Sequence, residues 1–326
     1  MRPLATLFSI TCLYIPVVIC YVVNSSNRDI KPSRGRSEIF AESRGQTIDL
    51  QSLGSSLVAH IAQGLSKTND GEILIERPGF AYGMGKQEWS SSGYRGAILG
   101  WDSKKVVQWL SSQAISLISL DREVVDEMVV KPEAEAMLDL MLRGGAEHDA
   151  PHVIFKAKKP TGTASLKVLL DYVPRKDMIQ DLSYFDKYFK DYKGPELDSM
   201  DCVDCTSAPN DFETTHSLIT RVVRSPFAHE ITIHGSNQER VAYELGCKHF
   251  DQWLRWTALP DEESGGKRKG VQAGSEETLM ARIHRDNALH GLLVEEEKFR
   301  LARLFGADFA PDAAPIAEAC IGPEYC

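Results

Sequence analysis

The stretch HVIFKAKKPTGTASLKVLLDYV, residues 152–173, constrains the fold most. Two β-rich runs flank a Lys-Pro-Thr-Gly-Thr turn, so the segment reads as a hairpin. Further strand-like runs are EILIE (72–76), RGAILGW (95–101), HSLITRVVR (216–224) and HEITIHG (229–235). They do not alternate regularly with helices, as a doubly wound parallel sheet requires. The fold class expected is α+β, a mixed, mainly antiparallel sheet packed with amphipathic helices.

The helical pattern is clearest at Leu50, Leu53, Leu57, Val58, Ile61 and Leu65, which recur at three and four. The same spacing at Val106, Val107, Leu110, Ala114, Leu117 and Ile118 predicts a helix capped by Asp102 or Ser103. PEAEAMLDLMLRGG (132–145), with Pro at its start and Gly at its end, predicts another. A short aromatic helix is expected over 181–192. A longer one opens with the capping pair Ser236 and Glu239 and runs to about Leu259, and a last one spans about Glu276 to Phe305.

Residues 1–25 read as a signal peptide or signal anchor: Arg2 precedes an apolar run that ends at Val23, and no residue from Leu4 to Val23 is charged. Residues 26–45 form a flexible polar stalk. A single α+β domain is expected over 46–306, with a charged, glycine-rich linker at 260–275, and 307–326 is a Pro/Ala-rich tail. The leader implies a secreted, extracellular product, retained at the cell surface or membrane only if the leader is not removed. Within the linker, Lys267-Arg268 is a dibasic pair in a flexible setting, where a processing protease can cut.

A net charge of -9 argues against a general grip on nucleic acid. Outside the leader lie Cys202, Cys205, Cys247, Cys320 and Cys326. In an oxidising compartment they are expected to form two disulfides and leave one thiol, in an order the sequence leaves open.

Four strings invite chemistry. His229, Glu230 and His234 are one residue longer than the zinc-protease spacing, and Ile231-Thr232-Ile233 favours a strand. On a strand, His229 and His234 stand about 16 Å apart on opposite faces, too far to share a metal. Cys202-Val203-Asp204-Cys205 has the spacing of zinc or redox pairs, but its polar, acidic loop favours a structural disulfide. GFAYGMGKQ departs from the phosphate-loop pattern in spacing, and Gln87 replaces the hydroxyl residue. Tyr184, Tyr188 and Tyr192 line one helical face and read as the edge of a core, while His284 and His290 read as solvated. No metal or cofactor is implied, and no G-x-S-x-G nucleophile is present.

A leader, a polar stretch and a body without a legible catalytic motif make the chain resemble, in general type, the secreted effectors of plant-pathogenic fungi such as smuts. That resemblance implies a virulence role during host colonisation, through binding a host protein or cell-wall component. The alternative is a secreted hydrolase or nuclease using His216, His229 or His234 with Glu230.

Overall fold

The computed structural model describes residues 49–69, 71–77, 87–91, 94–103, 105–117, 134–145, 149–160, 162–195, 205–207, 225, 227–258, 276–305 and 310–324. In chain order the elements are α1 (Leu50–Thr68), β1 (Ile75–Glu76), β2 (Gln87–Ser91), β3 (Tyr94–Asp102), β4 (Val107–Leu117), β5 (Ala134–Gly144), β6 (His152–Pro160) and β7 (Leu166–Val173). There follow α2 (Leu182–Tyr188), β8 (Cys205–Ser207), β9 (His229–Ile233), α3 (Gln238–Ala258), α4 (Glu276–Phe305) and α5 (Ala310–Ile321).

The strands form one sheet in the order β1-β3-β4-β5-β6-β7-β9-β8, with β2 also on β3. Each pairing is antiparallel, and β3 to β7 is a meander in which every strand pairs with the next in sequence. The α+β architecture and the antiparallel sheet expected from the hairpin are therefore present. The leader and stalk, residues 1–45, lie outside the described residues.

Helices cover both faces. On one, α1 and α3 bury Leu110, Leu138, Leu140, Leu142, Val153, Phe155, Val168, Leu170, Ile231 and Ile233. Asp49 caps α1 by accepting from the Ser52 N–H at 3.1 Å. The two helices cross at glycines: a Cβ on Gly64 would lie 2.2 Å from Leu254, and one on Gly246 2.7 Å from Leu57. The opposite face packs a smaller apolar cluster, including Ile98, Ile115, Met137, Met141, Ile154 and Val173, against Leu293, Val294 and Leu301 of α4 and Ile316, Cys320 and Ile321 of α5.

Two helix expectations are overturned. Residues 107–117 and 134–144 are the long strands β4 and β5 at the centre of the sheet. Helices pack on both faces of β5, so Met137, Leu138, Leu140, Met141 and Leu142 are all buried and the alternation that marks a strand is erased. The Pro/Ala-rich tail carries α5, with Pro311 in the first turn, where a missing N–H is tolerated.

Candidate functional site

Strand register builds a feature that no local stretch of sequence contains. Gln113 on β4 stands opposite Asp139 on β5, Asp139 opposite Lys156 on β6, Lys156 opposite Leu169 on β7, and Leu169 opposite Glu230 on β9. Directly opposed residues of an antiparallel sheet share a face. These five therefore form one transverse row on the side covered by α4 and α5. With strands about 4.8 Å apart, Asp139 and Glu230 are about 14 Å from each other. A neighbouring row runs Ile115, Met137, Lys158, Lys167, Thr232, and a third Ser111, Met141, Ile154, Asp171. Gln113, Asp139, Asp171 and Glu230 are buried, while Lys156, Lys158 and Lys167 are half-buried. Ser111 Oγ and Gln113 Nε2 are buried and find no hydrogen-bond partner among the described residues, leaving donors that a bound group can use.

Helix α4 meets this face with an unusually polar stripe: Arg282, Asp286, His290, Glu297 and Arg300 are buried alongside Leu293, Val294 and Leu301. Arg300 binds Glu297 in two places, Nε to Oε2 at 2.8 Å and Nη2 to Oε1 at 2.6 Å. Its Nη2 also reaches Asp139 Oδ2 at 2.5 Å and donates to Gln113 Oε1 at 2.9 Å. Burial works against the Arg300 cation, but the carboxylates of Asp139 and Glu297 more than reverse that and hold it charged. The Cys320 thiol donates to Gln113 Oε1 at 3.3 Å, and burial, with the same two carboxylates, pushes it well above the usual thiol range.

About three to four helical turns away, Asp286 anchors α4 to the sheet. It accepts from Nε and Nη2 of Arg175, in the segment after β7, and pairs with His152 Nε2 at 3.2 Å. Arg175 also donates to the Gly145 carbonyl at 2.8 Å, and Gly144 N–H donates to His152 Nδ1 at 3.3 Å. The proton of His152 is therefore on Nε2, facing Asp286. Burial pushes His152 down to about 4 despite the facing carboxylate, because Arg175 already neutralises Asp286. Burial alone would raise the Asp286 carboxyl; its two partners hold it well below the usual range. The end of α5 is capped by side chains: Arg143 donates to the carbonyls of Ile321 and Pro323 at 3.2 and 2.7 Å, Trp109 Nε1 to that of Cys320 at 3.4 Å, and His290 Nε2 to that of Gly322 at 2.6 Å.

The residues singled out from the sequence separate. HEITI is a strand, with His229 and Glu230 on opposite faces. His229 lies 5.9 Å from the Tyr192 ring on the apolar side, where burial lowers its pKa. Glu230 joins the polar row, and His234 is exposed beyond the strand end. His216, Cys202, Cys326, Lys267 and Arg268 lie outside the described residues, and of Cys205 only its place in β8 is described. Cys247 and Cys320 carry free thiols: Cys320 is buried under α4 beside Gln113, and Cys247 sits half-buried on α3. His290 is not solvated but buried against the end of α5. Among the described residues no group of three or more His, Cys, Asp and Glu side chains converges as a metal site, and no helix is long and apolar enough to cross a membrane.

The comparisons bear on the same part of the chain. Residues 136–311 match the family model of red chlorophyll catabolite reductase (RCC reductase). That segment holds Asp139, Lys156, Glu230 and all of α4. Among solved structures, phytochromobilin synthase from tomato, crystallised with biliverdin, is similar with a TM-score of 0.54 and 14% identity over 82% of this chain and 85% of that one. At that identity the likeness speaks to the fold. No curated protein matches. The general likeness to fungal effectors, with its virulence role, and the hydrolase or nuclease alternative are both overturned, because more than half of the 326 residues fit a reductase family instead. This chain belongs to the red chlorophyll catabolite reductase family.

Proposed function

We propose that the chain reduces an open-chain tetrapyrrole held between the polar rows of the sheet and α4. The observation that carries this is the polar row Gln113, Asp139, Lys156, Leu169, Glu230, of which all but Gln113 lie inside the reductase-matching segment. Such a substrate presents pyrrole N–H donors, terminal oxygens and acidic side chains. Asp139 and Glu230 are acceptors for the N–H groups, and the Lys156 ammonium is a donor to an oxygen or a protonated position. Lys158 and Lys167, directly opposed on β6 and β7, are donors for a substrate carboxylate. Reducing one double bond consumes two electrons and two protons. An external electron donor supplies the electrons and solvent the two protons, which Glu230 and Lys156 pass to the substrate, a role worth about 10²–10⁴-fold in rate.

The test uses biliverdin and red chlorophyll catabolite as probes, with a chemical reductant under anaerobic conditions and visible absorption as the readout. Binding and bleaching are expected, with kcat/KM falling about 100-fold in Glu230→Gln and Lys156→Met. A folded chain that neither binds nor reduces either tetrapyrrole refutes the proposal. We further propose that residues 1–25 act as the leader read from the sequence and take the chain into the secretory pathway. A reporter fusion found wholly in the cytosol refutes that.

A further inference from the structure

We propose that Arg300 is a positioning residue for this reaction: through its fork to Asp139, Glu297 and Gln113 it keeps the Asp139 carboxylate ionised and turned into the row. The inference rests on the tetrapyrrole-reductase reading and adds a residue on the covering helix to it. Three features support it. Arg300 and Glu297 are joined side-on by two bonds, so the guanidinium plane is fixed before Asp139 is met. The remaining hydrogen-bonding capacity of Nη2 is spent on Asp139 and on Gln113, its neighbour in the row. The charges also complement one another. Asp139 and Glu297 contribute two negative charges, Arg300 one positive, and Lys156, facing Asp139 across β5 and β6, the other.

Among the described residues, the groups near Asp139 include Gln113 on β4, Lys156 on β6, Glu297 and Arg300 on α4, and Cys320 on α5. Of these only Arg300 and Lys156 are cations. Removing Arg300 takes away the cation that Asp139 and Glu297 both contact. An ionised Asp139 accepts substrate N–H groups; a protonated one does not. Arg300 therefore controls the pH at which the row can bind. A structural staple between helix and sheet, by contrast, would change stability and leave the pH profile in place.

The experiment compares kcat/KM for biliverdin reduction from pH 5 to 9 in the wild type, Arg300→Gln and Arg300→Lys. Losing an opposite charge at this range moves a carboxyl by about one unit or more, so the acid limb of Arg300→Gln is expected to rise by that amount. Arg300→Lys keeps the charge and loses the fork; its limb stays near the wild-type position while kcat falls. The carbon-13 carboxyl titration of Asp139, assigned by difference from Asp139→Asn, supplies a reading independent of turnover and should move up in Arg300→Gln alone. An unmoved limb or unmoved carboxyl in Arg300→Gln overturns the proposal. So does a limb in Arg300→Lys displaced as far as that in Arg300→Gln. A folded wild type that reduces no tetrapyrrole defeats the function proposed above and the positioning role with it, and the carboxyl titration distinguishes that failure from one of Arg300 alone.

Discussion

Acid should destabilise this protein before its carboxylates titrate, because two histidines are buried neutral. His249, on α3, lies with its ring centroid 4.1 Å from that of Tyr172, and its Nε2 is 3.3 Å from the Asp171 carbonyl. Burial pushes it down to about 3, the carbonyl opposing only in part, and His152 lies at about 4. Unfolded, both titrate near 6.5. A folded value below the unfolded one means that the unfolded chain takes up protons first as pH falls. Stability is then fully present above about 6.5 and declines toward 4. From pH 7 to 4.5 each histidine withdraws about 2.5 kcal/mol, about 5 together, at about 1.4 kcal/mol per pH unit. Domains have about 5–15 kcal/mol in all, so the loss is a large fraction. With a urea slope of about 2 kcal/mol/M, the unfolding midpoint should fall by about 2.5 M. Urea titrations followed by circular dichroism at the two pH values measure this, and His249→Gln should roughly halve the difference. Equal midpoints at pH 7 and 4.5 would refute the reasoning.

Replacing Asp286 with Asn strands the buried Arg175 cation and should cost about 3–5 kcal/mol in urea unfolding, most of it recovered in Arg175→Met/Asp286→Leu. Gly246→Ala places a methyl 2.7 Å from Leu57 and 3.1 Å from Phe155, so despite a better helix former it should lower Tm, the overpacking costing about 1–3 kcal/mol. In native protein a thiol reagent should modify Cys247, and reach Cys320 only after unfolding; modification of Cys320 in folded protein would contradict its burial.

The sequence made the hairpin, the strand at HEITI, the α1 stripe and the antiparallel class legible, because each rests on a local period. It misled at β4 and β5 for a physical reason. Val106, Val107, Leu110 and Ala114 happen to recur at helical spacing, and β5, covered on both faces, carries apolar residues on both sides of the strand, broken only by Asp139, between a proline and two glycines. The polar row was illegible because Gln113, Asp139, Lys156 and Glu230 meet only through strand pairing, which spacing along the chain does not reveal. On α4 a signal was present: Arg282, Asp286 and His290 recur every four residues on one face, while Leu292 and Phe299 point outward. A helix whose charged residues share a face with Leu293 and Leu301 has turned that face inward, and this inversion marks the site better than either histidine of HEITIH.

The meander has a kinetic consequence. Strands β3 to β7 pair with their sequence neighbours, so the sheet is a set of local contacts that can zip quickly. Its helical cover on one side cannot: α1 is tied to α3 by Asp49 to Glu239 and His60 to Asp251, partners 190 and 191 residues apart. Loop closure over that distance comes late. In the interval Leu138, Leu140, Phe155 and Leu170 form a bare apolar surface on an already assembled sheet. Two chains at that stage can cover one another before their own helices return. Refolding yield should therefore fall steeply with protein concentration, while the refolding rate of the fraction that succeeds does not change.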